Sequence, residues 1–145
     1  MNIRNLVTTC GLISLLAAGI VGCSKQTPEK TPQKASLEGR WSGFEAGDTE
    51  KITIAFSGHQ FTYWDAKTNE LGGGTFVVND TVQPKQMDLT FERMLAPQYV
   101  GKVGLAIFEF QGDQLTIAGA EPGSTVRPTN IAGGQGVRTF TLKHE

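Results

Sequence analysis

Residues 51–64 read Lys-Ile-Thr-Ile-Ala-Phe-Ser-Gly-His-Gln-Phe-Thr-Tyr-Trp, and this stretch decides the fold. Ile52, Ile54 and Phe56 alternate with Thr53, Ala55 and Ser57. After Ser57-Gly58-His59 the alternation resumes, with Phe61 and Tyr63 against Thr62 and Trp64. A period of two gives an extended chain one apolar and one polar face, and so short a separator joins antiparallel neighbours. The pattern continues in both directions. Gly39 to Phe44 supplies a first strand. Phe76 and Val78 follow three glycines, Met87, Leu89 and Phe91 alternate with Asp88, Thr90 and Glu92, and Leu115 with Ile117 and Phe140 with Leu142 repeat the motif. Val103 to Phe110 is more continuously apolar, which predicts burial on both faces. Gly72-Gly73-Gly74 marks a bend or bulge in a strand. Between Arg93 and Gly101 one helical turn fits, limited by Pro97. Eight antiparallel strands in one small domain predict an all-β, up-and-down barrel that closes its own edges, with a two-sheet sandwich as the alternative.

Composition agrees. The chain has 145 residues, 39% of them hydrophobic, and 13 basic residues stand against 14 acidic ones. This hydrophobic content excludes a wholly disordered chain. The lack of a basic excess argues against nucleic acid as a partner. Eighteen glycines without a fixed period suit a turn-rich β domain and exclude collagen and solenoids.

The first 22 residues read as an address. Arg4 is followed by an apolar stretch from Leu12 to Val21 with no acid, the plan of a secretory signal. Its end, Ile20-Val21-Gly22-Cys23, resembles the lipobox of bacterial lipoproteins. That resemblance implies cleavage before Cys23, a diacylglycerol on its sulfur and an acyl chain, such as palmitate, on the new amine. Several acyl chains hold a protein stably on a membrane where one does not. Ser24 stands where lipoproteins retained in the inner membrane often carry Asp, so the resemblance implies the outer membrane, facing the periplasm. Cys10 would leave with the leader, so with Cys23 lipidated the domain holds no thiol and no disulfide. Residues 23–36 then form the lipidated Cys and a polar, proline-containing linker spanning roughly 20 Å as a coil. Residues 37–145 form the domain.

A second resemblance covers most of that domain. Gly39-Arg40-Trp41 is similar to the Gly-x-Trp opening of lipocalins. Further along stand Pro84-Lys85 with Met87-Asp88, the hairpin Ile107-Phe108-Glu109-Phe110-Gln111-Gly112-Asp113-Gln114-Leu115, and Arg127-Pro128-Thr129. The series resembles the small lipocalin-like domain of secreted and lipid-anchored proteins of planctomycete bacteria. It departs at Phe108, where that family often has Tyr, and at Ala106, where Gly is usual. The resemblance implies a lipocalin-like barrel and no assigned reaction. It also implies that Trp41 lies across the closed end of the barrel under a cation from the last strand, Arg138 or Lys143.

Candidate sites are sparse. His59 and His144 are the only imidazoles, and no spacing matches a metal centre, so neither a metal nor a cofactor is expected. Ser42 in Gly39-Arg40-Trp41-Ser42-Gly43 falls one place late for a nucleophile elbow. Gly112-Asp113 reads as a hairpin turn. Arg127 reads first as a loop arginine bonded to backbone carbonyls and second as a ligand contact at the barrel mouth, together with Trp64, Tyr63 and Tyr99. No acid–base or nucleophile constellation appears. The expectation is therefore a monomeric, non-catalytic binding domain for a small apolar ligand or an envelope partner, with a purely structural envelope module as the alternative. Alternation points Ile52, Ile54, Phe56, Phe61, Met87, Leu89, Phe91, Leu115, Ile117, Phe140 and Leu142 inward. An eight-stranded barrel is only just wide enough for its own side chains. That predicts a packed interior with a shallow cup at one end.

Overall fold

The structure is a computed structural model that describes residues 36–145. The leader 1–22, Cys23 and the linker up to residue 35 lie outside the described residues. The strands are β1 (Gly39–Glu45), β2 (Lys51–Ser57), β3 (Gln60–Trp64), β4 (Glu70–Asn79), β5 (Lys85–Met94), β6 (Val103–Gln111), β7 (Gln114–Ala120) and β8 (Val137–His144). A single 3₁₀ turn, η1 (Pro97–Tyr99), lies between β5 and β6. Each strand pairs antiparallel with the next, and β8 returns to β1 with Trp41 opposite His144 and Glu45 opposite Phe140. The sheet is one closed, up-and-down barrel, so the two-sheet sandwich gives way to the closed form.

Local sequence explains the turns and the curvature. Gly58-His59 and Gly112-Asp113 are two-residue hairpin connections, between Ser57 and Gln60 and between Gln111 and Gln114. Their glycines have φ of 60° and 62°. Positive φ at the first central position is what a type II′ turn requires. The β4–β5 register slips between Gly73 and Gly74, where the wall bends. A Cβ on Gly74 would stand 1.9 Å from the Thr90 carbonyl oxygen, so no other residue fits this approach.

The expected inward face is the observed one. Ile54, Phe56, Phe61, Met87, Leu115, Ile117 and Leu142 are buried in the core, with Ile52, Leu89, Phe91 and Phe140 packed against it. One end of the barrel carries the β2–β3, β4–β5 and β6–β7 turns and both ends of the described chain. This end is sealed. The Trp41 indole Nε1 donates to the Leu37 carbonyl at 2.8 Å, and the ring meets Phe110 at 5.8 Å and His144 edge-on at 4.9 Å.

The residue packed against Trp41 differs from the expectation. Arg138 lies at the other end of β8, pairing with Gly119, and stacks on Phe140 at 5.2 Å. Lys143 is exposed opposite Ser42. The imidazole of His144 takes the place beside Trp41. Antiparallel pairing decides this: Trp41 faces His144, and Arg138 is removed by about 20 Å of strand at 3.3 Å per residue.

The β7–β8 connection, residues 121–136, is a strap over the outer wall. Ile107, Ala118 and Thr139 form a row across β6, β7 and β8 and are all buried. Ile107 and Ala118 lie outside the inward cluster, so β6 is buried on both faces around Ile107, while Val103 at its start is exposed. Pro128 is buried, and a Cβ on Gly133 would come within 2.5 Å of the Thr139 hydroxyl, so the strap lies directly on this row.

Candidate functional site

The end opposite Trp41 is open. The β5–β6 connection and both ends of the strap border a cavity of about 410 Å³. Its floor and walls are Ile52, Ile54, Phe56, Phe61, Leu89, Phe91, Ile117 and Phe140, and its rim holds Tyr63, Met94, Tyr99, Glu121 and Arg138. The cup is deeper than a packed interior with a shallow depression. The reason lies in β6 and β7. Both strands bring glycines to the cavity: Gly104, against which the Phe91 ring packs, and Gly119, which leaves open space. A Cβ on Gly119 would meet only the Ala106 methyl, at 3.8 Å, so the space beside it is empty. This signal was legible: alternation from Leu115 and Ile117 reaches Gly119, and alternation from Phe108 through Ala106 reaches Gly104.

The polar rim is built from three strands and two connections. Arg138, on β8, binds Glu45, on β1, with both prongs of its guanidinium; Nε donates to Oε1 at 2.7 Å and Nη2 to Oε2. That bond holds the arginine pKa above its usual value. Tyr63, on β3, donates its hydroxyl to the Met94 sulfur at 3.5 Å. Burial raises its pKa above the usual phenol value, while nearby Arg138 pulls the other way, so Tyr63 is a neutral donor at physiological pH. η1 brings Tyr99 to the rim, where its hydroxyl donates to the Glu121 carboxylate, and this bond raises the Tyr99 pKa.

Of the four residues expected at the mouth, the structure brings together Tyr63 and Tyr99 and excludes two. Trp64 is on the outer wall, one residue out of phase with Tyr63, beneath the Arg40 guanidinium at 5.0 Å. Arg127 is also outside the barrel. Its Nη1 donates to the carbonyls of Met87 at 3.0 Å and Ala106 at 2.7 Å, and its Nη2 binds Asp88. The carbonyl-binding reading of Arg127 is the one observed, because the strap carries this residue over the β5–β6 wall and away from the mouth. Arg138, Glu45, Met94 and Glu121 were missed as rim residues. Alternation back from Leu142 and Phe140 already put Arg138 on the inward face.

Among the described residues, no three His, Cys, Asp or Glu side chains converge as a metal site would require. His59 and His144 belong to the sealed end. No family model, curated protein or solved structure matches this chain.

Proposed function

We propose that this protein is a non-catalytic binding protein for a small, largely apolar molecule, held on the cell envelope by a lipid on Cys23. The cup carries the reading. A concave, mostly apolar cavity with a few convergent polar groups is the usual form of a small-molecule site, and about 410 Å³ lies in the range such sites occupy. Binding is favoured over catalysis because each rim carboxylate is already engaged, Glu45 by Arg138 and Glu121 by Tyr99. A general base must lie within hydrogen-bond reach of the proton it takes, and these carboxylates are bonded to protein partners instead. The lipobox-like end of the leader supports the anchor, and Ser24 supports the outer membrane, facing the periplasm. The lipocalin-like motif series supports kinship with the planctomycete domains named above.

Native mass spectrometry of the protein isolated from its own cells tests the reading. A retained small molecule, lost when the cup is filled by substitution, is the expected result. An empty protein that takes up no hydrophobic compound at one-to-one stoichiometry would refute it.

A further inference from the structure

We propose that the cup selects an uncharged molecule with an apolar body and one hydrogen-bond-accepting head, a ketone, ester, lactone or amide, bound by the Tyr63 hydroxyl and Nη1 of Arg138. The proposal rests on the binding reading above and specifies its ligand class.

Three observations carry it. First, the rim offers donors. Tyr63 spends its hydroxyl hydrogen on a thioether at 3.5 Å, and thioether sulfur is a weak acceptor. A carbonyl oxygen would be a much better partner. Arg138 uses Nε and Nη2 on Glu45, and its Nη1 hydrogens have no hydrogen-bond partner among the described residues.

Second, the arginine's charge is already taken up. The Arg138–Glu45 pair is bidentate and neutral as a unit, and the remaining rim charge, Glu121, is negative. A carboxylate head would meet Glu121 and Glu45 with the arginine already neutralised. An ammonium head would leave the Tyr63 and Arg138 donors facing other donors.

Third, the size fits. At about 30 Å³ per heavy atom, the volume of a liquid water, the cavity holds roughly a dozen heavy atoms. The apolar lining extends from the rim to Phe56 and Phe61 at the floor, so the head stays at the mouth and the body fills the cup.

Isothermal titration of the full chain in lipid nanodiscs, with empty nanodiscs as the partition blank, tests this with four compounds on one skeleton. Benzylacetone carries the ketone, phenylbutyrate a carboxylate, phenylbutylamine an ammonium and butylbenzene no head. Benzylacetone is expected to bind one-to-one and about tenfold tighter than butylbenzene, as one or two hydrogen bonds of ordinary strength imply. Both charged analogues should bind more weakly than the ketone. Tyr63→Phe keeps the ring and should remove most of the ketone's advantage. Glu45→Gln leaves Arg138 uncompensated and should shift the preference toward phenylbutyrate. Two results would overturn the proposal while leaving the binding reading intact: tightest binding of a charged analogue to the native protein, or a ketone advantage unchanged by Tyr63→Phe. If none of the four binds, the binding reading fails with it.

Discussion

Arg127 in the β7–β8 strap and Asp88 on β5 form an ion pair across 39 positions of sequence. The same guanidinium binds the carbonyls of Met87 and Ala106, so one side chain fastens the strap to two adjacent strands. Arg127 stands in the Arg-Pro-Thr element and Asp88 in the Pro-Lys-x-Met-Asp element, so the two motifs are physically joined. The contact lies on the outer wall, which makes it a device of the scaffold.

The pair should matter to stability more than an ordinary surface salt bridge. Arg127 is only 21% exposed and Asp88 45% exposed, so solvent screens the pair in part. Arg127→Ala should cost about 1–3 kcal/mol in urea unfolding, because it also strips two backbone carbonyls of their donor. Arg127→Lys should recover little of this, since a point charge cannot serve three acceptors in a plane. A double-mutant cycle with Asp88→Ala should show coupling of at least about 0.5 kcal/mol; strict additivity would contradict the geometry.

At the sealed end the partner of Trp41 is His144. Trp41→Ala should cost about 3–5 kcal/mol, since a large ring leaves a cavity. His144→Ala should cost less and should couple to Trp41. Arg138→Ala and Lys143→Ala should be additive with it, because neither side chain reaches the indole.

The cup owes its volume to small residues, so filling it is a clean test. Gly119→Leu adds a side chain where a Cβ meets nothing closer than 3.8 Å. The variant should keep the far-ultraviolet circular dichroism of the native barrel and lose one-to-one binding of hydrophobic compounds. Unchanged binding would place the ligand elsewhere.

The chain has two tyrosines, and both are held above the usual phenol value of 10.0. A raised folded-state pKa on an acid stabilises the fold below the unfolded value, and the contribution is lost as pH climbs through the folded value. Phenolate absorbance should therefore rise later in the native protein than in denaturant. Stability should fall as pH passes above about 10, and this loss should be smaller in Tyr63→Phe.

If Cys23 carries the anchor, Cys23→Ala should leave an unlipidated precursor that lipoprotein signal peptidase does not cut. Normal lipid labelling of that variant would remove the assignment.

Alternation from Ile52 to Tyr63 and from Leu115 to Ile117 determined the strands, their inward faces and the turn at Gly112-Asp113. A strand's facing is a local property, set by the two-residue period of the backbone itself. Alternation also contained the seed of the cup, in Gly119, but its volume has meaning only once β7 stands opposite the large side chains of the facing strands. Register alone decided that His144 rather than Arg138 meets Trp41, because ring closure sets how far β8 slides along β1. The place of Arg127 was the least legible. Residues 121–136 have no period, so no local rule says which wall they cross. Only the packed barrel, with Ile107, Ala118 and Thr139 buried on its outer wall beneath the strap and Asp88 on the adjoining strand, fixes the strap on the outside and leaves the mouth to Arg138.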